Sequence, residues 1–174
     1  MRLFIGVPLS RDVQKKVFAF ERELQERCTG GRFVPLGNHH VTLRFIGESN
    51  ALADIALVME QAVADARPFT LKTGAYGCFD HGGARTSYLK VEGELQELYR
   101  IHQVLETGLW EQGFCKGKGR LIPHVTVGRA VEHGDISDLK EPQNASFRVN
   151  SIVLYESTSE KGRMVYTPLH TARF

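Results

Sequence analysis

A chain of 174 residues with 42% hydrophobic residues can bury one substantial core, and its length is typical of a single domain. The 22 lysines and arginines exceed the 20 acidic residues by so little that the net charge is +2, which argues against a protein that coats nucleic acid through bulk charge. The three cysteines form no CxxC pair, so neither a disulfide framework nor a zinc knuckle is indicated, and a reducing cytoplasm is expected.

An apolar run and the periodic pattern after it predict the first strand and helix. Residues 3–9 are too few to span a bilayer and no small-residue cleavage site follows, so we expect a strand and neither a membrane anchor nor a secretion signal. Ser10 is suited to cap the helix, and Gly30 with Gly31 is predicted to end it. The helix has apolar residues at spacings of 4, 3 and 4, namely Val13, Val17, Phe20 and Leu24.

Further helices and strands are predicted along the rest of the chain. The helices cover residues 52–66, which Ser49 and Asn50 are suited to cap, residues 95–109, and a short segment at 135–140. A surface loop is predicted at 80–83. Strands are predicted at residues 39–46, 69–73, 85–91, 121–127, 147–155 and 164–170. The order strand, helix, strand, helix, strand thus occurs twice, which indicates an α/β or α+β protein with two lobes related by an approximate twofold axis.

One triplet occurs twice in the sequence. His40-Val41-Thr42 and His124-Val125-Thr126 lie on predicted strands of the two halves. Residues i and i+2 of a strand share a face, so each strand presents an imidazole and a hydroxyl on one side and its valine on the other. A chain with 7 histidines contains about 0.4 His-x-Thr matches by chance, so it is the second copy that indicates a function.

Two imidazoles and two hydroxyls suit the hydrolysis of a phosphate ester without a metal ion. One neutral imidazole can take a proton from the attacking water, while one protonated imidazole gives a proton to the leaving oxygen. An unperturbed pKa near 6.5 allows both forms near neutral pH. Thr42, Thr126 and an arginine, either Arg129 or Arg44, are candidate ligands of the non-bridging phosphate oxygens.

Other chemistries fit the sequence less well. A metal site needs three or four His, Cys or carboxylate ligands at short spacing, whereas each His-x-Thr strand offers one good ligand. Gly117-Lys118-Gly119 lacks the spacing of a nucleotide-binding P-loop, so an ATPase is not indicated. The basic stretch 116–120 is either a solvated loop or a contact for an RNA backbone.

With both motifs, the chain resembles the two-histidine phosphoesterase superfamily, and most closely its bacterial and archaeal RNA 2′,3′-cyclic phosphodiesterases, historically called 2′-5′ RNA ligases. The resemblance covers nearly the whole chain. Beyond the motifs it rests on the opening segment 2–8, the run from His40 to Glu48, Pro123 before the second motif, and the segments 154–157 and 166–169.

The resemblance implies an α/β (α+β) fold of two pseudo-symmetric lobes, each an antiparallel sheet flanked by helices, around a central V-shaped groove. It implies that His40 donates a proton to the leaving 3′ oxygen and that His124 accepts one from water. A 2′,3′-cyclic phosphate at an RNA end would then become a 2′-phosphomonoester without a cofactor. It also implies that Thr42, Thr126 and Arg129 bind the phosphate.

Several interpretations stay open at this stage. The substrate is RNA with a 2′,3′-cyclic phosphate end, a 2′-5′ linked oligonucleotide or a small cyclic nucleotide-derived phosphate, and weak reverse 2′-5′ ligation is expected. The alternative of another class is a binding module that only captures RNA ends. Phe45 and Tyr155 are interpreted as core, His39 as structural or exposed, and the charges at 21–26 as a solvated helix face. We expect one domain over residues 1–174, a monomer, and no membrane partner.

Overall fold

Three helices and nine strands are formed by residues 1–81 and 84–174, the parts of the chain that the computed structural model describes. The helices are α1 (Arg11–Glu26), α2 (Leu52–Val63) and α3 (Leu95–Glu111). The strands are β1 (Arg2–Pro8), β2 (Cys28–Phe33), β3 (His40–Glu48), β4 (Phe69–His81), β5 (Ala84–Gly93), β6 (His124–His133), β7 (Ser146–Val149), β8 (Ser151–Glu160) and β9 (Arg163–Arg173). The predicted α+β class is confirmed, and the strands form a curled antiparallel sheet.

Each helix buries one apolar face. In α1 the Ser10 hydroxyl accepts a hydrogen bond from the Val13 N–H at 3.3 Å, which confirms the predicted cap. The N-cap of α2 is Ala51 rather than Ser49 or Asn50, and the Ser49 hydroxyl instead accepts from the Ala51 N–H. In α3 the buried residues follow the predicted periodicity, and they are Leu98, Ile101, Leu105 and Leu109.

The nine strands join one antiparallel sheet whose order has two matching halves. The order is β7-β4-β5-β6-β3-β1-β8-β9, and β2 also pairs with β6. From the centre outward, β3, β1, β8 and β9 form one half, while β6, β5, β4 and β7 form the other. The first half comes from both ends of the chain and the second from its middle. The repeated order of strands and helices had suggested that the two lobes are successive segments of the sequence. The strand order shows that they are not.

Two predicted elements around α1 and β6 are wrong. Gly30 and Gly31 do not end the first helix, which stops at Glu26, and instead lie in β2. Residues 135–140 form turns rather than a helix. There the Asp135 carboxylate accepts the Ser137 N–H at 2.8 Å and the Leu139 N–H donates to the Ile136 carbonyl at 2.9 Å, so the segment forms one turn that does not continue as a helix.

The last predicted strands also have different bounds. Residues 147–155 are divided between β7 and β8 at Asn150, whose carbonyl accepts the N–H of Phe174. Strand β6 begins at His124, three residues after the predicted start. Of the predicted loop at 80–83, residues 80 and 81 belong to β4, and Gly82 and Gly83 lie outside the described residues.

Substitution of two leucines tests which helix positions belong to the hydrophobic core. Leu105 of α3 is fully buried in the core, whereas Leu57 of α2 is 52% exposed. Leu105→Ala is expected to lower the free energy of unfolding by about 2–5 kcal/mol, because the lost methyl groups leave a cavity. The matched Leu57→Ala is expected to change it by only about 0.5 kcal/mol. Urea unfolding curves of both variants measure these changes. Equal losses of unfolding free energy would contradict the assignment of α3 to the core.

Candidate active site

The two His-Val-Thr triplets lie side by side at the centre of the sheet. Strands β3 and β6 are antiparallel, and Val41 pairs with Val125. This register puts the histidine of each triplet alongside the threonine of the other. Both valines are fully buried, whereas the histidines and threonines are partly exposed on the opposite face. The sheet therefore brings two imidazoles and two hydroxyls together.

A main-chain carbonyl two residues earlier holds each histidine. Nδ1 of His40 donates to the Asn38 oxygen and Nδ1 of His124 to the Ile122 oxygen, both at 2.7 Å. A carbonyl oxygen only accepts, so both Nδ1 atoms carry a proton, and each neutral ring has its lone pair on Nε2. Nε2 of His40 is 2.9 Å from the Thr42 hydroxyl, which donates to it. Nε2 of His124 has no hydrogen-bond partner within the described parts of the chain.

Aromatic rings flank both imidazoles. The ring centroids lie 4.8–6.3 Å from those of the two histidines. These rings come from strands far apart in the sequence, and sequence reasoning missed them as site residues because no local pattern links them to the motifs. They are Phe4, Tyr155 and Tyr166 around His40, and Phe79 and Tyr88 around His124.

Burial lowers the pKa of both histidines. The pKa of His40 falls to about 4, because the charged ring loses solvation; the Asn38 carbonyl raises it, and the charges of neighbouring histidines and of Arg129 lower it. The pKa of His124 is also lowered by burial, raised by its carbonyl partner and lowered by Arg129. Both rings are therefore mainly neutral in the free protein at neutral pH. The charge of Arg129 acts on both.

Arg129 lies near both histidines because a bulge interrupts β6. The register with β5 shifts by one residue between Thr126 and Gly128. This turns Arg129 to the face that carries the histidines, whereas simple alternation would direct it to the core. Its guanidinium donates to Thr86 Oγ1 at 3.3 Å. Gly128 is needed at the bulge, because a Cβ there would lie 2.6 Å from a methyl group of Val131.

A second bulge has the opposite effect on Arg44. The register of β1 with β3 shifts by one residue, so that Arg44 pairs with the fully buried Ile5 instead of sharing the face of the histidines. Its Nε lies 2.8 Å from the carboxylate of Glu106 on α3, and the guanidinium also donates to the carbonyls of Phe45 and Cys115. Simple alternation was therefore wrong at this position, and Arg44 lies on the face opposite the histidines.

The same bulge changes the interpretation of Phe45. Its ring was interpreted as core, but it is 65% exposed and lies 6.2 Å from Phe4, which contacts His40. Tyr155 is half-buried and stacks on Phe4 at 5.1 Å. Phe45 is thus an exposed aromatic ring at the edge of the rings around His40.

Three general findings complete the description of the site and its surroundings. Residues 1–81 and 84–174 contain no group of three or more His, Cys, Asp or Glu placed to hold a metal ion. No helix in the same residues is long and apolar enough to cross a membrane. The three cysteines, at 28, 78 and 115, are free thiols.

Comparison with known proteins relates the chain to one family. The family model described as the 2′-5′ RNA ligase superfamily matches residues 15–161, a segment that contains both His-Val-Thr triplets. A relative from Thermotoga maritima, named RNA 2′,3′-cyclic phosphodiesterase, is 26% identical over 100% of this chain and 96% of its own length. A relative of the same name from Escherichia coli is 26% identical over 97% of this chain and 93% of its own.

Solved structures show the same fold. Escherichia coli LigT in complex with 3′-AMP has a TM-score of 0.82 and 23% identity, with 99% of this chain and 97% of that chain covered. A Thermus thermophilus protein has a TM-score of 0.80 and 24% identity, with the same coverage of both chains. The similarity thus extends over the whole sheet and its helices.

Proposed function

This chain belongs to the 2′-5′ RNA ligase superfamily, and from that premise we propose that it hydrolyses 2′,3′-cyclic phosphates at RNA ends to 2′-phosphomonoesters. The observation that carries the proposal is the matched pair of imidazoles on adjacent strands, each with its Nδ1 proton bound by a main-chain carbonyl. Relatives named RNA 2′,3′-cyclic phosphodiesterase support the choice of substrate.

In this reaction His124 is the general base and His40 the general acid. The Nε2 lone pair of His124 has no partner within the described residues, so it is open to the water that attacks phosphorus. As the new bond to the water oxygen forms, the bond from phosphorus to the 3′ oxygen breaks. Protonated His40 gives its Nε2 proton to that oxygen, and His124 keeps the proton taken from water.

Three side chains are proposed to bind the non-bridging oxygens. The hydroxyls of Thr42 and Thr126 flank the two imidazoles across the paired strands. Arg129 supports this role because its positive charge acts on His40 and His124 alike. Donors fixed beside the phosphorus stabilise the charge that grows on these oxygens in the transition state.

Substrate binding must also protonate His40, because its pKa in the free protein is about 4. An anion bound beside the ring favours the charged imidazolium and therefore raises its pKa. By linkage, the anion binds more tightly to the protonated protein, so its affinity must rise as the pH falls. The phosphate of the substrate would thus generate the acid that the reaction needs.

Sulfate tests this linkage, because it keeps its charge across the pH range concerned. We expect sulfate to raise the pKa of His40 above about 4 and to bind more tightly at about pH 5 than at about pH 7. An NMR titration of the histidine ring protons with and without sulfate measures both effects. His170, whose Nε2 lies 2.8 Å from Glu60, is the internal control and should not respond. A pKa of His40 that sulfate leaves unchanged would contradict anion binding beside it.

The activity is tested directly with a short RNA that ends in a 2′,3′-cyclic phosphate. We expect conversion to a 2′-phosphate at the same rate with and without excess chelator, and a 2′-5′ linked oligonucleotide serves as the competing substrate. Absence of conversion, or a 3′-phosphate product, would contradict the proposed reaction. A rate that falls with chelator would contradict metal independence alone.

The whole chain is proposed to form one catalytic domain. The half of the sheet that carries His40 includes β1 from one end of the chain and β8 and β9 from the other, so removing the strands at either end would break this half. The same acid and base in exchanged roles serve the reverse reaction, so weak 2′-5′ joining of RNA ends is expected wherever hydrolysis occurs.

A further inference from the structure

A buried carboxylate and a buried histidine lie just behind the first motif. Glu21 on α1 is 1% exposed and His39 is 2% exposed, although charges at 21–26 were predicted to be solvated. Nε2 of His39 lies 3.3 Å from Oε1 of Glu21. Buried polar groups of this kind are costly unless they are hydrogen-bonded, so their partners indicate what they stabilise.

One oxygen of Glu21 binds both ends of the same loop. Oε1 accepts the main-chain N–H of Val34 at 2.8 Å, and it also faces His39 Nε2. The segment between these residues, 34–39, precedes β3. Asn38 lies in this segment, and its carbonyl accepts the Nδ1 proton of His40. The contacts of Glu21 therefore surround the group that determines the tautomer of His40.

Hydrogen bonds indicate the protonation of His39. Its Nδ1 is buried and has no partner among the described residues. A doubly protonated ring would bury a charged N–H donor without an acceptor, which costs more than an unpaired lone pair. His39 is therefore a neutral ring that carries its proton on Nε2 and donates it to Glu21.

We infer that Glu21 and His39 are a positioning pair for His40. By holding the loop 34–39 at both ends, they keep the Asn38 carbonyl against Nδ1 of His40 and direct Nε2 toward the substrate. Gln14 adds to this on the same helix, since its amide donates to the His39 carbonyl at 2.7 Å. The consequence for catalysis rests on the function proposed above, whereas the tautomer of His40 is a property of the folded protein.

His124 serves as an internal control for His40. His124 has the same bond to a carbonyl, but that carbonyl belongs to Ile122, which is 53% exposed. No buried ion pair is found behind Ile122 among the described residues. Changes at Glu21 or His39 should thus affect His40 and leave the ring of His124 as it is.

Three variants test the pair. His39→Leu removes the donor and Glu21→Leu removes the acceptor, while Glu21→Gln keeps an oxygen that can accept both N–H groups. The nitrogen NMR signals of the two histidine rings, recorded near neutral pH, report the tautomer of each. Turnover of RNA with a 2′,3′-cyclic phosphate end is measured on the same samples.

We expect the native protein and Glu21→Gln to show His40 with its proton on Nδ1 only. Both leucine variants should show a mixture of tautomers at His40, an unchanged His124 and a kcat about tenfold lower with little change in KM. Glu21→Asp, which shortens the side chain by one methylene, replaces any leucine variant that does not fold, and the same mixture is expected.

A single Nδ1 tautomer of His40 in the leucine or aspartate variants would overturn the inference. So would a loss that affects His40 and His124 equally, because it would indicate a general loss of structure. If the native protein turns over no cyclic phosphate, the proposed function fails, but the tautomers of the variants still decide whether Glu21 and His39 position His40.

Discussion

Replacing either His40 or His124 with alanine is expected to lower kcat for 2′,3′-cyclic phosphate hydrolysis by about 10³-fold. A positioned acid or base contributes about 10²–10⁴-fold, and no other described side chain offers an equivalent group at the same position. The double variant should be little slower than the slower single variant, because the two groups act in one step. Rates with the cyclic RNA substrate give all three values.

Two controls show whether a lower rate is due to loss of the catalytic imidazoles. His170→Ala removes a histidine of β9 that pairs with Glu60 outside the site, and it should leave the rate within about twofold. Urea unfolding of each variant separates loss of chemistry from loss of fold. Turnover that survives in both alanine variants would exclude the two-histidine mechanism.

A substrate with a better leaving group would distinguish the acid from the base. A 4-nitrophenolate leaves without protonation, so a phosphodiester that carries it does not need a general acid. On such a substrate His40→Ala should lose far less activity than on the RNA, while His124→Ala should lose as much on both. The reverse order would exchange the two assignments.

Sequence reasoning succeeded where a local period determines the environment of a side chain. Val41 and Val125 were predicted to lie on the side opposite the histidines because strand residues alternate, and both are fully buried there. The cap at Ser10 was also predicted from local sequence, since its hydroxyl accepts a hydrogen bond from an N–H only three residues away. The pairing of β3 with β6 could not be derived from any period, because it joins strands that are far apart in the chain.

Bulges explain why only one of the two candidate arginines, Arg129, lies near the histidines. Alternation places Arg44 on the face of His40 and directs Arg129 to the core. One register shift in β3 turns Arg44 toward Glu106, and another in β6 turns Arg129 toward the histidines. A bulge depends on how a strand pairs with its neighbour, so the residue pattern of a single strand does not reveal it.

Buried polar pairs are equally difficult to predict from a single sequence. Glu21 lies among the charges at 21–26, which suggested a solvated face, yet its position on α1 is four residues after Val17 and three before Leu24, both buried. The helical period alone thus marks Glu21 as core-facing. Its partner His39 is 18 residues away, and only the fold brings the carboxylate and the imidazole into contact.

Arg129→Gln is expected to lower kcat/KM for the cyclic RNA substrate by about 10²-fold. The guanidinium is the positive charge that acts on both histidines, and loss of one such donor to the developing charge costs about 10²–10³-fold. Glutamine keeps a donor for Thr86 but removes the charge. Arg148→Gln, on the exposed face of β7, is the matched control and should have little effect.

The same variant makes a second prediction that does not depend on turnover. The charge of Arg129 lowers the pKa of both His40 and His124, so its removal must raise both values toward the ordinary 6.5. An NMR titration of the histidine rings measures the change, with Arg148→Gln again as control. If activity falls while neither pKa moves, Arg129 is not where the proposed phosphate site requires it. A rise in both pKa values together with the loss of kcat/KM would support one positive charge that serves the phosphate and both imidazoles.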